Sequence, residues 1–221
     1  MNRIESLKFT KYFPFLILVI CISNGCSTAY FGAMEKMGIH KRDILVDRVE
    51  DARDAQAEAQ TQFKSALEQF SSVVQVENTD LKAAYEKLNS EYEESEAAAK
   101  NVTDRIDKVR TVADALFREW EEELELYESA ELKKSSKTQL LKTKEQYNKM
   151  LQSMIKAESS MAPVLRTFRD NVLYLKHNLN AQAIGSLRVE FKTLKEEIDK
   201  LIAKMNDSIA TSNSFISNLE K

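Results

Sequence analysis

Between Gly38 and the end of the chain at Lys221 stand one glycine, Gly185, and one proline, Pro163. These two residue types punctuate chains: glycine opens left-handed turns, and proline ends or bends helices. A stretch so nearly free of both has few turns. Ala, Glu, Lys, Leu and Gln fill it, all of them good helix formers, and no run alternates with the period of two that a half-buried strand requires. The expected fold class is all-α, an elongated antiparallel bundle of about four long helices with coiled-coil-like packing.

The apolar spacing supports this. From Leu45 the seam steps by fours and threes through Val49, Ala52, Gln56, Ala59, Phe63, Ala66, Phe70 and Val73, with Gln56 its one polar member. Glu77-Asn78-Thr79-Asp80 ends the pattern and supplies cap oxygens for a second helix. That helix keeps phase from Leu81 to Trp120, slips by one residue at Leu124 and Tyr127, and is expected to run to about Lys134, roughly 80 Å. Ser136-x-x-Gln139 reads as the capping box of the third. Its seam, Leu140, Lys144, Tyr147, Leu151, Met154, Glu158, Met161, Leu165 and Phe168 among others, passes straight through Pro163. A kink inside one helix follows, the alternative being a new helix capped by Ser160 with Pro163 in its first turn. Asn180 is the expected cap of a fourth helix, running from Ile184 to Leu219 with a frayed end. Expected lengths are about 36, 55, 41 and 39 residues.

With these lengths the first helix leaves the end of the second uncovered. The stripe Leu116, Phe117, Trp120 and Leu124 is then expected to be completed by self-association or by a partner protein, unless the fourth helix or the segment 27–38 folds over it. Seven glutamates between Glu119 and Glu131 precede the turn, and lysines from Lys133 to Lys156 follow it. Opposed blocks of this kind neutralise each other across a hairpin and set its register. The functional alternative is a basic tip for anionic lipid or an acidic partner.

The N-terminus carries the address. Arg3, Lys8 and Lys11 precede an apolar run from Tyr12 to Ile22, and Ser23-Asn24-Gly25 leads to Cys26. The run is short for a bilayer span and reads as a signal peptide over residues 1–25. Gly25 fits the small site before a lipidated Cys26, although Ser23 stands where an aliphatic residue is usual. Cys21 is disfavoured by the bulky Ile20 before it. An ordinary cleaved signal and an uncleaved anchor remain the alternatives. Residues 26–38 read as lipidated cysteine and tether, and residues 39–221 as the helical domain. The expected location is the periplasmic side of a cell envelope, the outer membrane before the inner, since Ser27 and not Asp follows the cysteine.

Charge and chemistry narrow the function. The whole chain carries −3. Residues 1–25 hold Arg3, Lys8 and Lys11 against Glu5, so the mature chain is near −5, which argues against nucleic acid. Cys21 is removed and Cys26 is acylated, so no disulfide is expected. His40 and His177 are the only histidines and read as solvated. Met150, Met154, Met161 and Met205 read as core fillers, and Trp120 as a packed seam residue. No phosphate loop, nucleophile elbow or metal-ligand spacing is present. No catalytic, cofactor or metal residue is therefore expected, and no enzyme.

Four blocks resemble a bacterial family known only as a domain of unknown function: Met34–Gln56 (MEKMGIHKRDILVDRVEDARDAQ), Tyr85–Asn89, Trp120–Leu124 and Arg169–Asn180 (RDNVLYLKHNLN). The resemblance covers essentially the whole mature chain. It implies a helical, lipoprotein-like Gram-negative protein and brings no catalytic residue. The expected role is that of a membrane-anchored extracytoplasmic structural or adaptor lipoprotein. The alternative is a bundle that binds or shapes lipid membranes.

Overall fold

The computed structural model describes residues 30–75, 80–179 and 181–220. The signal segment, Cys26, the cap candidates Glu77 to Thr79 and Asn180 lie outside the described residues. The described residues contain helices and no strand. The chain falls into two compact units that divide between Ile44 and Leu45.

In the first unit, α1 is described over residues 30–36, so the later part of the segment read as a tether is helical. Its end is built by Gly38, whose φ of 81° only glycine adopts without strain. Ile39 donates its backbone N–H to the Met34 carbonyl at 3.0 Å, and Gly38 donates to that of Glu35 at 2.9 Å. This pair of bonds closes a helix end by satisfying its last carbonyls. The next helix then starts at once, with the Asp43 carboxylate accepting the backbone N–H of His40 at 3.3 Å, half of a capping box.

Four long helices follow: α2 Lys41–Gln75, α3 Leu81–Leu124, α4 Ala130–His177 and α5 Ala181–Leu219. In the second unit, each is antiparallel to its neighbours, as the cross-helix bonds establish. Gln62 and Ser65 of α2 both bond Glu91 of α3, while Arg105 reaches Asp51 at 2.9 Å. Trp120 Nε1 donates to Ser136 Oγ at 2.8 Å between α3 and α4, and Ser153 donates to Asp207 at 3.0 Å between α4 and α5. Gln60 to Asn206 at 2.8 Å and Arg53 to Asn213 at 3.2 Å close the ring between α2 and α5. The end of α2 is also held, since Arg188 of α5 donates to the orphan carbonyl of Val74 at 2.6 Å.

Burial follows the seam. All nine seam residues of α2, Gln56 included, are buried. Near one end an aromatic from each of α2, α3, α4 and α5 meets: Phe70 stacks on Phe191 at 5.7 Å, Phe168 stands edge-on to Phe70 at 6.2 Å, and Tyr92 meets Phe168 at 6.0 Å. Nearer the other end, Tyr147 joins Phe117 at 5.3 Å to Phe215 at 6.1 Å. Met150, Met154, Met161 and Met205 fill the core between them, each at most 2 % exposed.

Three expectations need correction. The turn after α3 falls at residues 125–129, not near Ser135, because Ser129 caps α4 by accepting the N–H of Leu132 at 3.3 Å. Ser136 lies inside α4 and spends its hydroxyl on Trp120. In α4 the seam is half right: Thr143, Met150, Ala157 and Val164 are buried, whereas Lys144, Leu151, Glu158 and Leu165, one place later, are only half-buried. A helix flanked by two neighbours buries a stripe wider than one heptad seam. The end of α5 is packed and not frayed, with Phe215, Ile216 and Leu219 buried. Pro163 stands within the continuous α4, and the hydroxyls of Ser159 and Ser160 bond the carbonyls of Ile155 and Lys156 one turn earlier.

Candidate interaction surface

The hairpin of α3 and α4 gathers most of the residues that the sequence singles out. Its register puts Leu219, the last residue of α5, level with about residue 143 of α4, so the hairpin runs on by about 20 Å to its turn. Along this stretch Lys144 bonds Glu121 at 2.6 Å, and its ammonium sits 5.4 Å from the Phe117 ring. Lys133 reaches Glu125 across the turn at 2.9 Å. The opposed charges therefore do meet across the hairpin. The neutralisation is only partial, though. With the turn placed earlier than expected, the later lysines of α4 fall opposite the body of α3 and not its glutamates. Residues 119–137 hold seven glutamates and three lysines, a net of −4, which Lys144, paired with Glu121 from outside this stretch, reduces to −3. Glu122, Glu123, Glu128 and Glu131 are exposed and form no ion pair among the described residues.

The apolar residues divide into two sets. Leu116, Phe117 and Leu124 are buried, at 9 %, 7 % and 7 % exposure, and Trp120 is half-buried. The expected bare stripe is thus already covered within the chain. Exposed instead are Leu126 at 80 %, Leu132 at 60 % and Tyr127 at 40 %, around a turn that contains no glycine, proline or asparagine. Gly, Pro, Asn, Asp and Ser dominate turns, and of these residues 125–129 hold only Ser129.

A second exposed face escaped the sequence reading. On the last turns of α4, Arg166, Arg169, Leu173 and Lys176 are all exposed. Their spacing of three, four and three places them on one side of the helix. The signal was present in the sequence, but it lies opposite the buried seam, where helical periodicity is read as plain solvent exposure.

His40 and His177 are exposed and apart in sequence. No group of three His, Cys, Asp or Glu side chains able to hold a metal is found among the described residues. No described helix is long and apolar enough to cross a membrane. The grooves between neighbouring helices are shallow and mixed. One of about 360 Å³ between α4 and α5 is lined by Asp170, Asn171, Tyr174 and Glu190 among others, and one of about 460 Å³ between α3 and α4 includes Ala99, Glu158 and Leu165. Neither pairs a nucleophile with a base.

With that geometry in view, comparison with known proteins supplies the family. The profile of a family described as a protein of unknown function, DUF2959, matches residues 30–219. The chain belongs to this family. The DUF2959 match begins at Tyr30, so it takes in α1 and all four long helices. No curated protein matches the chain, and no solved structure does.

Proposed function

We propose that this DUF2959 protein is a lipid-anchored structural or adaptor protein of a bacterial cell envelope, on its periplasmic side, acting through its helical surface and not through a reaction. The observation that carries the reading is the pairing of an export-type N-terminus ending at Gly25-Cys26 with a helical body whose exposed features are charged and apolar patches on rods. Such surfaces suit docking, because side chains on rigid helices hold fixed spacings. A thioether-linked diacylglycerol and an N-acyl chain on Cys26 together exceed the two signals that stable membrane attachment needs. The acidic hairpin turn weighs against the alternative of a bundle that grips anionic lipid through that tip.

The test is Cys26→Ser in the full chain, followed by membrane fractionation and labelling with an alkyne fatty acid. The expected outcome is loss of label and release from the membrane fraction, or accumulation of the unprocessed precursor. Lipid label that persists in Cys26→Ser refutes the anchor.

A further inference from the structure

Two exposed faces of the second unit are complementary in both charge and apolarity, and they are too far apart to meet within one chain. The first is the turn between α3 and α4, where Leu126, Tyr127 and Leu132 stand among uncompensated glutamates. The second is the outer side of the last turns of α4, where Leu173, 46 % exposed, is flanked by Arg166, Arg169 and Lys176. Within residues 166–177 the one acid is Asp170, 3.8 Å from Arg169, so this stretch of α4 keeps a net charge of +2. Leu132 and Leu173 lie on the same helix, about 60 Å apart at 1.5 Å per residue. That is several times the distance over which charges act through physiological salt, about 8 Å. Neither patch relieves the other intramolecularly.

We propose that the acidic, leucine-bearing turn of one copy docks on the basic, leucine-bearing face at the end of α4 of a second copy. Exposed leucines scattered singly need no explanation. Here Leu126 and Leu132 are set in a field of one sign, and Leu173 in a field of the other. Contact between them buries apolar area at the centre while opposite charges form the rim, the usual anatomy of a recognition site. Because the two patches differ, the contact is heterologous: each copy keeps one free turn and one free face, and association propagates head to tail unless a rotation closes the ring. An anionic bilayer is a poor match for the turn, whose net charge it shares.

The inference rests on the partner-docking half of the proposed function and not on the lipid. The experiment uses the full chain purified in detergent and follows its size by sedimentation velocity across protein concentration and salt. The expected result is reversible association that weakens as salt rises. Reversing the turn with Glu122→Lys, Glu123→Lys and Glu128→Lys, or the face with Arg166→Glu, Arg169→Glu and Lys176→Glu, weakens it by about tenfold or more. An equimolar mixture of the two reversed proteins restores it, since each then offers what the other has lost. Leu126→Ser weakens association without moving the melting temperature. A strict monomer at high micromolar concentration overturns the proposal, as do oligomers indifferent to reversal of the turn or a mixture that fails to co-assemble. A photo-cross-linker at Leu132 that captures a different protein in cells, and not a second copy, overturns it in favour of a foreign partner. A Cys26→Ser protein that leaves the membrane and still oligomerises separates this proposal from the anchor.

Discussion

Gln56 stands between Ala52 and Ala59 on the seam of α2, fully buried, with neither amide oxygen nor amide nitrogen hydrogen-bonded. The register with α5 puts Ser208 within a turn of it, also fully buried and with its hydroxyl unpartnered. A buried amide without partners gives up its bonds to water and gains none in return. Gln56→Met keeps the volume and removes that penalty, so it is expected to raise the free energy of unfolding by about 1 kcal/mol in urea titration. Tyr147 makes a different statement. Burial, reinforced by the negative field of Asp114 and opposed by Arg110, pushes its phenol up to about 12. The native state therefore holds this proton more tightly than the unfolded chain does, where tyrosine titrates near 10. The associated stability is complete below about pH 10 and is lost as the pH climbs from there towards 12. Tyr147→Phe has no such proton to lose, and its melting temperature relative to wild type is expected to rise across that alkaline window. Parallel alkaline limbs for the two proteins contradict the assignment.

At the level of elements, α2 was fully legible and the hairpin of α3 and α4 was not, for reasons that lie in particular residues. Every seam position of α2 is a single-face heptad, and Asp80 caps α3 as its position implies, accepting from Lys82 and Ala83 at 3.0 and 3.2 Å. The end of α3 was misplaced because Leu124 and Tyr127 extend the apolar pattern with only a one-residue slip. Ser129 lacks the Glu or Gln three places on that marks a capping box, whereas Ser136 and Gln139 supply one inside a helix. A local signature lost to tertiary packing, since Trp120 claims the Ser136 hydroxyl. That error carried over to the surface. With the turn ten residues late, the glutamates and lysines pair fully on paper, and Leu126 and Leu132 fall on helix interiors rather than at an exposed turn. The lysines and glutamates were readable; their incomplete pairing was not.

The molecule's second unit is tied together by the aromatic layer to which α2, α3, α4 and α5 each contribute one ring. Phe168 of α4, fully buried, touches Phe70 across the bundle and Tyr92 on α3, and Phe70 in turn touches Phe191 of α5. The layer at Phe117, Tyr147 and Phe215 joins only three helices. Removing the Phe168 ring leaves a cavity bounded by rings from α2 and α3, which cannot collapse without moving whole helices. Phe168→Ala is expected to cost about 3–5 kcal/mol, the range for deleting a buried aromatic. The form of the unfolding curve matters as much as its midpoint. If the four helices share one core, urea unfolding of the variant stays a single transition with an unchanged slope, followed alike by helical circular dichroism and by Trp120 fluorescence near the opposite end. If the two probes separate in Phe168→Ala, the helices are held as independent pairs, and the aromatic layer is a local contact and not the fastener of the bundle.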